Sequence, residues 1–280
     1  MQEHVITPRR GLLDIDIKGL WRYRDLYVMY VKRDIVTKYK QTILGPLWYV
    51  IQPVFTTIMY MFVFGGLAGI STDGAPQPLF YMAGILLWNY FSETFTLCSD
   101  IFSANANVFG KVYFPRLVVP LSIATSNLLK MLIQLVLFIL VYLYFKFFTQ
   151  AGQFLTPHSS LLILPLLVVL PALHSMSWGL IISSLTTKYR DLKFLIQFGI
   201  QLFMYATPVI YPLSAAPEKY REIIALNPLT SIFEAFKYSC FGCGSLDLCG
   251  LLYSTIFLLV TLFLSVVIFS RTERNFMDTI

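Results

Sequence analysis

The sequence predicts an all-α integral membrane protein with six transmembrane helices, an N-terminal amphipathic interface helix and short re-entrant helices between spans 5 and 6. Three observations predict it. Hydrophobic residues are 57% of the 280 and charged residues only 13%, about half the charge of an ordinary soluble domain. Apolar runs long enough to cross roughly 30 Å of hydrocarbon recur along the chain. Between them no polar stretch is long enough for a soluble domain of about 150 residues.

Residues 1–43 are expected to form a cytoplasmic N-terminal segment. Residues 1–40 are polar and charged, without the apolar core of a cleavable signal peptide, so the first long apolar run is expected to direct insertion itself. Trp21, Tyr27, Val28, Val31 and Ile35 recur at spacings of three, four and seven, which predicts a helix with one apolar face lying on the inner membrane surface. The transmembrane domain is expected over 44–270, with spans near 44–70, 79–101, 117–145, 160–185, 194–213 and 250–270. Pro165 and Pro171 interrupt the fourth, and the fifth is short and ends at Pro208 and Pro212; membranes tolerate both where neighbouring helices re-satisfy the freed backbone groups. Residues 211–250 are too many for a tight turn and too apolar for a free loop. Asn227-Pro228 reads as an N-cap followed by proline at the first helical position, so helices are expected near 217–226 and 228–241, dipping into the outer leaflet. Residues 102–116 form the remaining sizeable loop, and 271–280 a cytoplasmic tail.

Orientation follows from basic residues, which concentrate on the cytoplasmic side. Of 21 Lys and Arg, 16 fall on the side of the N terminus, whereas Lys146, Lys219, Arg221 and Lys237 lie opposite and Lys130 lies within a span. Both termini are therefore expected in the cytoplasm, and the formal charge of +6 reads as topology, not as a nucleic-acid surface.

Charges inside a bilayer are expensive and usually paired or functional. Glu93 lies about 12 Å from the inner end of its span and Lys130 about 20 Å from that of its own, at 1.5 Å per residue. The lysine stem can close that gap, so an intramembrane Glu93–Lys130 pair is expected, either structural or pore-facing, with Asp100 nearer the inner interface. Cys240 and Cys243 have a metal or redox spacing, but no histidine adjoins them; with Cys249 they fall on the expected outer side, where an oxidising compartment permits a disulfide. A disulfide or free thiols both remain open. His4, His158 and His174 are scattered, and no catalytic, metal-binding or cofactor-binding constellation is visible.

Four separated segments, in order, resemble the permease subunit of type-2 ABC polysaccharide exporters, the group that exports O-antigen, teichoic acid and capsular chains. They are the stretch from Tyr39 through Gly45-Pro46-Leu47-Trp48 to Gln52-Pro53; Lys111-Val112-Tyr113-Phe114-Pro115-Arg116 with Pro120; Tyr189-Arg190-Asp191-Leu192 with Thr207-Pro208-Val209-Ile210-Tyr211-Pro212; and Leu226-Asn227-Pro228. The resemblance covers about residues 20–270. It implies a homodimer in the bacterial inner membrane, surrounded by membrane lipids, bound on the cytoplasmic side by two ABC ATPase subunits and carrying a lipid-linked polysaccharide. A phosphate-binding loop needs Gly-x-x-x-x-Gly-Lys-Ser/Thr. The sole Gly-Lys, Gly110-Lys111, has Asn105 and Val112 at the other required positions, so ATP and magnesium are expected on the partner and no cofactor on this chain.

The resemblance further implies a coupling helix in the 102–116 loop, offering Asn105, Asn107, Lys111, Tyr113 and Arg116, with Arg33, Asp34 and Lys38 of the N-terminal helix as a second contact. Sugars present hydroxyls for hydrogen bonds and C–H faces that pack on rings. Aromatic residues are 16% of the chain, and the channel-lining candidates are Trp48, Tyr49, Phe55, Tyr60, Trp88, Tyr90, Phe91, Phe198, Tyr205 and Tyr211. Rival expectations are a drug or lipid permease of the same architecture, an ion-coupled secondary transporter built around Glu93, and a membrane anchor.

Overall fold

The computed structural model describes residues 17–276, apart from Gln41, Tyr113, Ala151, 153–154, 156–158 and Arg190, and apart from the side chains of residues 17, 18, 38, 39, 159 and 274–276. The described residues contain helices and turns and no strand. Among the described residues, four helical stretches are long and apolar enough to cross a membrane: Gly45–Leu67, Val118–Phe148, Ser160–Thr186 and Leu248–Glu273.

Two short helices, α1 (Ile17–Arg22) and α2 (Arg24–Tyr39), precede the first of these. The residues that pack on the protein here are Tyr23, just before α2, and Leu26, Tyr27 and Tyr30 on it; of the expected face Tyr27 is among them, and Val31 and Ile35 are half-buried. Trp21 is 72% exposed and Val28 also points outward. The tyrosines pack here because each adds a polar tip to an apolar ring: the Tyr27 hydroxyl lies 2.6 Å from that of Thr125, and Tyr30 packs on Phe114. Burial pushes the Tyr30 phenol above the ordinary tyrosine range, while the Arg33 guanidinium stacked on its ring pulls it back.

A 3-10 turn at Gly45–Leu47 leads into α3 (Trp48–Tyr60), which continues as a π-helical turn over Met61–Leu67. At the centre of the bundle stands α4 (Gln77–Ser99), whose residues 79–88 are all buried. It packs on α3, on α7 (Val118–Phe148), on α8 (Leu164–Thr186) and on α9 (Leu192–Tyr205). Its 23 residues span about 35 Å, but Asn89, Ser92, Glu93 and Thr96 make it more polar than the four apolar stretches. The short helices α5 (Ile101–Ala104) and α6 (Ala106–Phe109) separate α4 from α7. They break at Asn105, which leaves helical geometry at φ −113° and returns its side-chain amide to the Ile101 carbonyl.

The expected fifth span, 194–213, stops as a helix at Tyr205. Its 14 residues reach about 21 Å. Pro208 disfavours helical geometry in the residue before it, and the chain turns through 206–212. Asn227 fastens this turn: its amide nitrogen donates to the Ala206 carbonyl and the Thr207 hydroxyl, while its amide oxygen accepts from the Leu229 N–H at 3.0 Å. That last bond is the N-cap of α11 (Pro228–Phe241), which follows α10 (Glu218–Ala225) and ends at Gly242 with φ 74°, the left-handed geometry that suits glycine. Leu229, Ile232, Phe233 and Phe236 are fully buried, so α11 is sheathed by protein. Its Lys237 ammonium donates to the Pro208 carbonyl at 2.6 Å, lies over the Phe80 ring and pairs with Glu234. The last helix, α12 (Leu248–Phe276), packs on α8, where Ser254 meets the buried His174. All four cysteines are free thiols.

Candidate functional site

A groove of about 840 Å³ opens along α3, α4, α7 and α9. Each wall comes from a helical repeat. On α4, Asn89, Ser92, Glu93 and Thr96 stand at offsets of zero, three, four and seven, one face of a helix; on α9, Phe198, Gln201, Leu202 and Tyr205 repeat those offsets. Lys130 and Gln134 of α7 and Trp48, Tyr49 and Gln52 of α3 complete it, with Trp88 at the end nearer Met204.

Of the ten aromatic channel candidates, the structure brings Trp48, Tyr49, Trp88, Phe198 and Tyr205 to this groove. Phe91 instead lies in the core among Trp88, Trp178 and Phe203. Tyr90 is buried with its hydroxyl toward the Ala124 carbonyl. Tyr60 bonds the Met204 sulfur, Phe55 faces outward, and Tyr211 lines a separate cavity beside Tyr220. The wall residues the sequence reading missed are the amides Gln52, Asn89, Gln134 and Gln201. Their signal was available: polar side chains at helical spacing inside otherwise apolar runs mark an inward polar face.

Glu93 and Lys130 both line the groove, and the Lys130 ammonium donates to Glu93 Oε1 at 2.5 Å. It also donates to Asn127 Oδ1 at 2.6 Å, and the Asn127 amide nitrogen donates to the Thr94 hydroxyl. The lysine is thus buried with both neighbouring acceptors satisfied, and the pair crosslinks α4 to α7 beside the open space. Asp100 pairs with Lys193 at the end of the bundle where α4 finishes and α9 begins.

That same end carries the expected partner-docking residues. Asn107 and Lys111 are exposed, joined by Val108 and Val112, which the sequence reading did not include. Asn105 is turned back on its own helix. Arg33 and Asp34 pair with each other at 2.8 Å; Tyr113 and the Lys38 side chain lie outside the described residues. Arg116 is 8% exposed, stacked on Phe109 and donating to the Glu273 carbonyl at 3.1 Å. Its guanidinium therefore ties α12 to the 101–119 segment and offers little to a partner. Arg116→Ala is expected to cost about 1.5–3 kcal/mol, several degrees in Tm, in thermal unfolding of the purified chain, whereas Lys111→Ala leaves Tm unchanged.

A groove walled by amides, hydroxyls and rings, in a bundle that holds four helical stretches of membrane-spanning length among the described residues, marks a multi-pass membrane protein. Residues 26–241 match the ABC-2 type transporter family, and the chain belongs to it. The O-antigen export system permease protein RfbA of Klebsiella pneumoniae is 29% identical over 256 residues, covering 91% of this chain and 94% of that protein. RfbA of Myxococcus xanthus is 26% identical across 79% of this chain and 82% of its own. The polysialic acid transport protein KpsM of Escherichia coli is 23% identical across 86% of this chain and 91% of its own.

Proposed function

We propose that this chain is the transmembrane subunit of an ATP-driven exporter moving a lipid-linked, O-antigen-like polysaccharide from the cytoplasm to the outer face of a bacterial plasma membrane. The groove is the observation that carries the reading. Glycans need hydrogen-bonding groups in place of water and rings against their C–H faces, and this wall supplies both. An ion-coupled site would instead need acids held ready to exchange cations, and Glu93 is already engaged by Lys130.

In this reading α3, α4, α7, α8, α9 and α12 are the six spans, with α9 completed by the turn after it, and α10 and α11 enter from the outer side. Both termini lie in the cytoplasm, in keeping with the basic residues. Two copies face each other across their grooves and enclose the path. Two ATPase subunits hold ATP and magnesium and dock on the exposed face around Asn107, Val108, Lys111 and Val112. Their closure is delivered through α5 and α6, which the Arg116 clamp and the Asp100–Lys193 pair connect to α12 and α9.

Co-expression with its ATPase tests the assembly. The expected complex holds two copies of each chain, and Asn107→Ala with Lys111→Glu lowers its glycan-dependent ATP hydrolysis at least fivefold without changing Tm. A chain that purifies alone and transports without ATP would overturn the reading.

A further inference from the structure

Net charge in the groove bears on which glycans can pass, given the path proposed above. Among the described lining residues, Glu93 and Lys130 are the carboxylate and the ammonium, and they neutralise each other. Asn127 takes a further hydrogen of the ammonium, so the cation is already committed on two sides. The rest of the polar wall is uncharged. Ser92 and Thr96 donate their hydroxyls to carbonyls of their own helix, at Asn89 and Ser92. The side-chain amides of Gln52, Asn89, Gln134 and Gln201 face the groove and make no hydrogen bond to the described protein.

An amide both donates and accepts, as a sugar hydroxyl does, so four unpartnered amides match a chain of hydroxyls and need one to replace the water they otherwise hold. Toward a row of carboxylates only their N–H groups are complementary, while their carbonyl oxygens repel, and no cation among the described lining residues is free to add to them. An anion leaving water for a low-dielectric wall is strongly penalised unless a cation or several converging donors meets it, and a polyanion incurs that penalty at every repeat. Stacking on Trp48 or Tyr205 gives no compensation, because ring faces carry negative potential.

We infer that the groove conducts electrically neutral polysaccharides and excludes polyanionic ones. The test uses one lipid-linked mannan in two forms, untreated and with its C6 hydroxymethyl groups oxidised to carboxylates, so that anchor and length are the same. The chain and its ATPase are reconstituted together in liposomes, and ATP-dependent transfer of each polymer is measured. The expected result is at least tenfold faster transfer of the neutral form, with the gap narrowed severalfold by Gln201→Lys or, independently, by Gln52→Lys. Both positions are exposed in the groove, and monodisperse yield on size exclusion, read beside transfer, separates misfolding from a change in selectivity. Equal transfer of the two forms, or a gap that neither lysine narrows, overturns the inference and leaves the glycan path standing. Transfer of neither form while ATP is hydrolysed removes the glycan path, and the inference with it.

Discussion

Glu93→Lys alone is expected to abolish export and to remove most of the folded, membrane-inserted chain. The substitution sets a second ammonium against Lys130, whose side chain is 6% exposed. Two like charges 4 Å apart repel by about 4 kcal/mol at an effective dielectric of 20; the Glu93 side chain is 38% exposed to the groove, so solvent screens part of this, but Lys130 stays buried without its counter-charge. A loss of even a few kcal/mol is a large fraction of the stability of many proteins. The double swap Glu93→Lys with Lys130→Glu restores the attraction. It does so in part, because Asn127 must then rotate its amide to donate to a carboxylate at 130 and loses its present bond to Thr94. Monodisperse yield on size exclusion, with export beside it, reads the effect. A double swap as damaging as the two singles combined would show that the pair holds nothing together.

Two glycines set how closely the bundle closes on α4. A Cβ at Gly84 would stand 2.4 Å from the Val209 carbonyl oxygen, and one at Gly179 would stand 2.4 Å from the Cβ of Cys98. Neither neighbour is the free end of a flexible side chain. Val209 belongs to the turn held by Asn227 and Lys237, and Cys98 is fully buried on α4. Gly84→Ala and Gly179→Ala must therefore move backbone, and each is expected to lower stability by about 1–3 kcal/mol, or several degrees in Tm. Gly199, on α9, has nothing within 4 Å of its Cβ position, so Gly199→Ala is expected to hold or slightly raise Tm through helix propensity, by up to about 1 kcal/mol. Equal Tm for all three alanine variants would mean that these close approaches are not present in the protein.

Much of the helical order was legible because long apolar runs and punctuation are local signals. Asn227-Pro228 announces the start of α11 from two adjacent residues, and the helix begins there. Counting 1.5 Å per residue put Glu93 and Lys130 about 8 Å apart in depth, a gap the lysine stem can close, and the two do meet. What was not legible depends on partners distant in sequence. Which residues around α2 are buried was decided by Thr125 and Phe114, about 90 residues on, so apolar spacing alone selected Tyr27, which packs, together with Trp21 and Val28, which do not. Arg116 resembled a docking residue until Glu273, at the far end of the chain, claimed it. Ring count likewise could not separate Phe91, in the core with Trp178, from Phe198, on the groove wall. The polar repeat Asn89, Ser92, Glu93 and Thr96 was present in the sequence, and it identifies the wall more sharply than the aromatics do.

The central claim, that the groove is the path of the exported chain, is tested most directly by site-specific photo-crosslinking during export. A photoreactive residue is placed at Gln134 or Gln201 on the groove wall, and separately at Leu259, exposed on the outside of α12. In cells exporting a labelled lipid-linked polysaccharide, the groove positions are predicted to capture glycan in an ATP-dependent manner while position 259 captures lipid. Glycan captured at 259 and absent from 134 and 201, with export running, would contradict the account.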